Sequence, residues 1–266
     1  KKDVRFNPNI SVNIYEEATP RGLGRNPNQA INRFMQFERK LSRGHTLPET
    51  EMYKTILGGA LRPHPNLQLI INNTIAELNG AEKKGYMVLH ARIEPDMMRQ
   101  NVRVCTDKRV MNMTDIINML YEKFPEPPVS AVLLVFSRDI IENEEANDKQ
   151  DDDFHKLNSH NLKILNELRE NGMWGGKVKV VEAGSRMVEE SGNDFYAYYY
   201  NFVGSIVNFF IAVQATILVG TEVSTFSTYA MNSRFYRESR ENYFYRPGGL
   251  YWMSPPNQTK PHRFGC

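Results

Sequence analysis

The sequence has little cysteine, no long apolar run and almost no excess of charge. Its two cysteines among 266 residues are too few for a disulfide framework or a cysteine-based zinc site, although one bridge between Cys105 and Cys266 is conceivable. No apolar run reaches the ~18 residues of a transmembrane helix, so no membrane segment is expected in this chain. The formal net charge of +2 is too small to indicate a general nucleic-acid or membrane-surface binder, and no nucleic-acid partner is expected.

Several short motifs of nucleotide and hydrolase chemistry are also missing. There is no P-loop with its lysine and no G-x-G-x-x-G segment, which argues against a standard NTPase or a dinucleotide enzyme. The G-x-S-x-G elbow of many hydrolases is absent too. One D-x-D pattern occurs at residues 151–153, inside an acidic stretch over residues 142–153. We interpret that stretch as a solvated loop and predict no metal site.

The beginning of the chain and its sequons bear on localisation. The chain begins with Lys1 and has no signal-peptide core, so we interpret it as a fragment or a processed product, and an anchor upstream stays open. Four sequons for N-glycosylation are present, slightly more than expected by chance. They favour a secretory lumen only weakly, and they begin at Asn9, Asn72, Asn112 and Asn257.

The chain nevertheless has an ordinary globular composition. Hydrophobic residues make up 41% and charged residues 24%, which excludes a wholly disordered or collagen-like chain. The length corresponds to one or two domains. Prolines and glycines in residues 1–60 predict an irregular, partly helical lead-in. We expect one domain over residues 61–246 and a turn-rich tail over residues 247–266.

Short apolar runs alternate with helical patterns along the predicted domain. The runs, which are typical of buried strands, cover residues 86–89, 131–136, 178–181 and 217–219. The helical patterns cover residues 67–83, 116–124, 162–168, 194–215 and 224–240. This alternation predicts an α/β fold, with a parallel sheet covered by helices on both faces. Such sheets bind ligands beyond the carboxyl ends of their strands.

The first polar segment at such a strand end holds three alternating side chains. His90, Arg92 and Glu94 follow an apolar strand and share one side of an extended segment. Because unpaired polar groups are costly in an interior, we expect them at the mouth of a site. The guanidinium of Arg92 suits a phosphate. The alternative is an internal salt bridge between Arg92 and Glu94, with His90 as a satisfied neighbour.

The second polar segment, residues 219–227, has the sequence VGTEVSTFS. A strand ends at a glycine, and a hydroxyl-rich turn then opens a helix. Free backbone N–H groups and the helix dipole make such a place an anion site. Ser224, Thr225 and Ser227 add hydroxyl donors. The alternative interpretation is an ordinary helix N-cap.

Both segments resemble one enzyme family. Residues 89–97, LHARIEPDM, resemble the H-L-R-x-E-x-D-M segment of plant-type GDP-fucose protein O-fucosyltransferases, with Ala91 in place of the usual Leu. Residues 219–227 resemble the G-T-x-V-S-T-F-S segment of the animal protein O-fucosyltransferases. Cys105 falls near the cysteine that follows the first segment in the family. The resemblance covers roughly residues 50–240.

The resemblance implies a GT-B glycosyltransferase, which has two Rossmann-like domains with a cleft between them. The chain would be the C-terminal, donor-binding domain, and residues 1–60 would end a missing N-terminal domain. The implied reaction is inverting, metal-independent transfer of fucose from GDP-fucose to a hydroxyl of a protein or glycan. No cofactor is implied beyond this donor substrate, and the implied location is the lumen of the Golgi or endoplasmic reticulum.

The resemblance also assigns roles to individual residues. His90 and Arg92 would contact GDP-fucose, and Arg92 would be catalytic by holding the β-phosphate as it leaves. Ser224, Thr225 and Phe226 would line the phosphate and nucleotide pocket.

Two more positions complete the expected donor site, and one of them departs from the family. Glu94 belongs to the first segment and is assigned to the donor site with it. Asn208 takes the place of an Asp that touches the guanine in many relatives, which weakens the expected preference for guanine. A Gly- and Asn-rich loop of the N-terminal domain is also missing, and residues 22–29 resemble it only loosely.

Other functions therefore stay open. The chain could be a non-catalytic nucleotide-sugar-binding module, a glycosyltransferase that uses another sugar nucleotide, or a purely structural or interaction protein.

Overall fold

The computed structural model describes residues 56–80, 84–95, 111–138, 140–142, 152–183, 200–239 and 241–254. The chain divides into two units, Lys1–Arg62 and Pro63–Cys266. The described part of the first unit contains a π-helical turn, Ile56–Ala60. Both cysteines, residues 22–29 and most of the predicted lead-in lie outside the described residues.

The second unit alternates helices and strands. Its helices are α1 (Pro65–Asn79), α2 (Met113–Lys123), α3 (Asp152–Asn171), α4 (Tyr200–Gln214) and α5 (Thr225–Tyr236). Its strands are β1 (Tyr86–His90), β2 (Ala131–Val135), β3 (Lys179–Ala183), β4 (Ile217–Gly220), β5 (Asn242–Arg246) and β6 (Gly249–Trp252). None of the described helices is long and apolar enough to cross a membrane.

The strands form one sheet in the order β3-β2-β1-β4-β5-β6. Strands β1 to β5 are parallel, and β6 pairs antiparallel with β5. The predicted α/β class, with a mostly parallel, Rossmann-like sheet, is confirmed. Every residue of β1, β2 and β4 is buried, because a parallel sheet is covered on both faces and its central strands meet no water.

The helix ends follow local capping chemistry. The side chain of Asn112 accepts a hydrogen bond from the N–H of Asp115, and the Asp115 carboxylate accepts one from the N–H of Asn112. This capping box satisfies two N–H groups that would otherwise be unpaired, and it starts α2 at Met113. Helix α3 begins at Asp152, so the prediction of a loop is wrong at the end of the acidic stretch, and residues 143–151 lie outside the described part.

The sheet has two strands that the sequence pattern does not predict. Strand β5, with the sequence NYFYR, lacks the aliphatic run that marks the other strands, although its first four residues are buried. Strand β6 follows a tight turn in which Gly248 adopts a φ of 100°, a conformation that favours glycine. The sheet therefore continues past Arg246 into the predicted tail.

A fully buried arginine ties α5 to its neighbours. Arg234 is 0% exposed, and its guanidinium donates to carbonyls at the end of α4, among them those of Ala212 and Ala215. It also donates to the Thr216 carbonyl (3.1 Å) and to the Asn242 side chain on β5 (2.5 Å). Burial lowers the pKa of Arg234 to about 10. The side chain supplies donors to carbonyls that the end of a helix leaves unpaired.

Candidate functional site

The two polar segments meet where the strand order of the sheet reverses. From β1 the chain proceeds to β2 and β3 on one side, whereas β4 and β5 lie on the other side. Leu89 of β1 pairs with Val219 of β4, so His90 and Gly220 end their strands side by side. In open α/β sheets the crevice at this reversal is the usual ligand site. We refer to the carboxyl ends of β1 and β4, with the first turn of α5, as the β1/β4 edge.

A direct contact joins the two segments at the β1/β4 edge. The Nδ1 atom of His90 lies 2.7 Å from the Oγ atom of Ser227, and the N–H of Thr221 donates to the same Oγ at 3.2 Å. The His90 ring packs against Phe226, with ring centroids 4.6 Å apart. His90 is only 5% exposed. The structure thus brings together residues that are 137 positions apart in the chain.

Gly220 allows this close approach. A Cβ atom at position 220 would lie 2.3 Å from Ser227 Oγ and 2.8 Å from Ser227 Cβ. Any larger residue would therefore push the first turn of α5 away from β4. Glycine at position 220 is therefore required by the close packing against Ser227.

The N-terminus of α5 lacks the usual side-chain cap. Ser224 is the N-cap residue and is buried, but its side chain makes no capping hydrogen bond. Ser224 therefore does not act as an ordinary side-chain N-cap, which was the alternative interpretation of this segment. Thr225, the first residue of the helix, is exposed. The first turn combines uncapped N–H groups with the positive end of the helix dipole, which favours an anion.

Arg92 and Glu94 form a salt bridge, which was the alternative interpretation of the first polar segment. Arg92 Nη1 lies 3.3 Å from Glu94 Oε1, and the same carboxylate oxygen accepts a hydrogen bond from the N–H of Ser137 at 3.1 Å. The side chain of Glu94 is 1% exposed, whereas that of Arg92 is 23% exposed. Glu94 therefore faces the protein interior and orients Arg92, which keeps partial access to solvent.

Tyr245 fixes the backbone between His90 and Arg92. Its hydroxyl accepts a hydrogen bond from the Arg92 N–H at 2.8 Å and donates one to the His90 carbonyl at 3.1 Å. Burial raises the pKa of Tyr245, so the hydroxyl stays protonated and can donate. Tyr245 is not predictable as a site residue, because the sequence pattern of β5 does not predict a strand there.

The surroundings of His90 favour the neutral form of its imidazole. Burial lowers the pKa of His90 well below its ordinary value, and the positive charge of Arg92 lowers it further. His90 can therefore offer a hydrogen bond to a ligand but not a positive charge. The positive charge at the predicted segments comes from Arg92, with the helix dipole of α5.

Asn208 lies on α4 and is half-buried. Its neighbour Phe209 faces Phe226 of α5, with ring centroids 6.2 Å apart, which places this part of α4 beside the first turn of α5. Among the described residues, Asn208 makes no side-chain hydrogen bond with His90, Arg92 or Ser224.

Two further charged pairs near the carboxyl ends of the strands were not predicted from the sequence. Arg246 Nη1 lies 3.5 Å from Glu222 Oε1, and Arg138 makes a two-pronged contact with Glu182. Hydrogen bonding to Glu182 raises the pKa of Arg138. In the described part of the chain, no group of three or more His, Cys, Asp or Glu could hold a metal ion.

Comparison of the chain with protein-family models, with curated proteins and with solved structures gave no match. The resemblance of residues 89–97 and 219–227 to the O-fucosyltransferases thus depends on those two segments alone.

Proposed function

We propose that this domain binds a nucleotide sugar at the β1/β4 edge and belongs to an O-fucosyltransferase-like glycosyltransferase. The observation that carries the proposal is the contact between His90 and Ser227, since each residue belongs to one of the two family-like segments. Their meeting at the reversal of strand order places them where open α/β sheets bind ligands. The donor is GDP-fucose, and the acceptor is a hydroxyl of a protein or glycan in the Golgi or endoplasmic reticulum.

The chemistry of the edge suits a leaving diphosphate. Breaking the bond between fucose and GDP develops negative charge on the β-phosphate, and fixed donors around that charge lower the barrier. Arg92 is oriented by Glu94 through Nη1, which leaves its Nη2 group without a partner among the described residues. The uncapped N-terminus of α5 supplies backbone N–H groups from the other side. Ser224, Thr225 and Phe226 line the phosphate and nucleotide pocket.

A non-catalytic nucleotide-sugar-binding module is the second candidate. The ion pair between Arg92 and Glu94 favours it, because a carboxylate beside the guanidinium offsets part of the charge that a leaving phosphate requires. A glycosyltransferase that uses another sugar nucleotide is a separate candidate. Asn208 favours it, because an amide lacks the charge of the family's Asp.

Nucleotide-dependent thermal unfolding tests the donor site. We expect GDP to raise the melting temperature more than GMP, because Arg92 and the N-terminus of α5 contact the β-phosphate, which GMP lacks. At about 100 times its dissociation constant, a ligand adds about 2.7 kcal/mol to the free energy of unfolding. ADP and UDP, measured in parallel, report the base preference. Equal melting temperatures with GDP, with GMP and without ligand would exclude the proposed site.

A further inference from the structure

The hydroxyl of Ser227 lies between two nitrogen atoms. The Thr221 N–H donates to Ser227 Oγ at 3.2 Å, and His90 Nδ1 lies 2.7 Å from the same oxygen. A hydroxyl donates one hydrogen bond and accepts up to two, whereas a neutral imidazole has one donor nitrogen and one acceptor nitrogen. The direction of the bond between His90 and Ser227 therefore determines which ring nitrogen carries the proton.

Only one direction gives the hydroxyl hydrogen of Ser227 an acceptor. If Nδ1 carried the proton, Ser227 would accept from both nitrogens, and its own hydrogen would have no acceptor among the described residues. Ser227 is 0% exposed, so bulk water does not replace the missing acceptor, and an unpaired buried donor is costly. If Nδ1 accepts instead, the hydroxyl hydrogen is used and the proton of the ring resides on Nε2.

We propose that Ser227 holds His90 in the neutral Nε2–H tautomer, so that His90 offers an N–H donor to an anionic ligand at the β1/β4 edge. The opposite tautomer would present a lone pair, which repels an anion. The ring contact with Phe226 restricts rotation of the imidazole. No described residue pairs with Nε2, and the lowered pKa of His90 agrees with a neutral ring. The identity of the anion, a nucleoside diphosphate, rests on the proposed function.

Ser227 is a positioning residue in this scheme, because it acts on the ligand through His90. Gly220 supports the same arrangement, since a Cβ atom there would lie 2.3 Å from Ser227 Oγ. The neighbouring Thr228 provides a matched control. It is also buried, and its hydroxyl has no hydrogen-bond partner among the described residues.

Nitrogen NMR of the full chain, labelled with ¹⁵N-histidine, tests the tautomer directly. The chain has six histidines, and a His90→Gln variant identifies the signals of His90. We expect a protonated Nε2 and an unprotonated Nδ1 in the wild type without ligand. In Ser227→Ala we expect a shift toward the Nδ1–H form and a fall in GDP affinity of about 3- to 10-fold, the loss expected for one hydrogen bond. Thr228→Val should change neither quantity.

Two results would overturn the proposal. One is a protonated Nδ1 in the wild type, and this spectrum decides the matter even if Ser227→Ala does not fold. The other is an unchanged Nε2–H tautomer in a folded Ser227→Ala variant. A wild type that shows the Nε2–H form but does not bind GDP would keep the tautomer and reject the proposed donor site, so the two failures can be told apart.

Discussion

At the scale of single residues, His90 makes the free energy of unfolding depend on pH. Burial and the charge of Arg92 lower its pKa, so the unfolded chain binds a proton there more readily than the folded protein. The contribution of His90 to the free energy of unfolding is therefore fully present above about pH 6.5 and is lost as the pH falls toward the lowered pKa. The loss is at most about 1.4 kcal/mol per pH unit.

Denaturant unfolding of the wild type and of His90→Gln between pH 5 and pH 8 measures this contribution. The difference in free energy of unfolding between the two proteins should shrink as the pH falls below about 6.5. The other histidines are common to both proteins and cancel. A difference that does not depend on pH would show that the folded and unfolded states bind the His90 proton equally well.

A catalytic role and a purely binding role of Arg92 predict different kinetic effects of Arg92→Lys. In an active glycosyltransferase, Arg92→Lys should lower kcat on the order of 10²–10³-fold, because lysine cannot present two parallel donors to the leaving phosphate. KM for the donor should change much less, since ground-state contacts with Ser224, Thr225 and Phe226 remain. Steady-state kinetics, with melting temperature as a folding control, measures both. A folded Lys variant with near-normal kcat would leave Arg92 only its ion pair with Glu94.

At the scale of elements, Arg234 holds the end of α4, the start of β4 and the start of β5 together. Arg234→Met should lower the free energy of unfolding by about 3 kcal/mol or more, because several buried carbonyls would each lose their donor. Arg169→Met is the matched control, because Arg169 is exposed on α3 and its loss should cost little. Urea unfolding compares the two variants. Similar midpoints for both would show that the carbonyls find other donors.

The sequence pattern predicts the strands that are buried on both faces of the sheet. The aliphatic runs of β1, β2 and β4 are buried on both faces, so they stand out in the sequence. Strand β5 carries Asn242 and Arg246 at its ends and aromatic residues between them, and this mixture fits several structures. Arg234 likewise looks like a surface residue of a helix, because only the tertiary structure supplies the carbonyls that it meets.

The candidate site was predictable in part for the same reason. The alternation of His90, Arg92 and Glu94 and the turn after Val219 marked two strand ends. Strand order, which no local pattern encodes, decides that these ends are neighbours. Tyr245 was not predicted, because its role depends on the position of β5 two strands away from β1.

At the scale of the whole molecule, the order of the strands accounts for the site. Strands β1 and β4 are separated in sequence by two other strands and lie next to each other in the sheet. One edge therefore carries an oriented guanidinium, a neutral imidazole and an uncapped helix N-terminus. These groups together suit a diphosphate, and their convergence is the reason why we propose the donor site at the β1/β4 edge.

Isothermal calorimetry of GDP binding to the wild type, Arg92→Met and Arg169→Met tests this account most directly. Loss of a charged hydrogen-bonding partner of the phosphate should weaken binding by about 1.5–3 kcal/mol, or roughly 10- to 150-fold. We predict that Arg92→Met shows this loss and that Arg169→Met binds GDP as the wild type does. Equal GDP affinity in all three proteins, or no binding by a folded wild type, would contradict a diphosphate site at the β1/β4 edge.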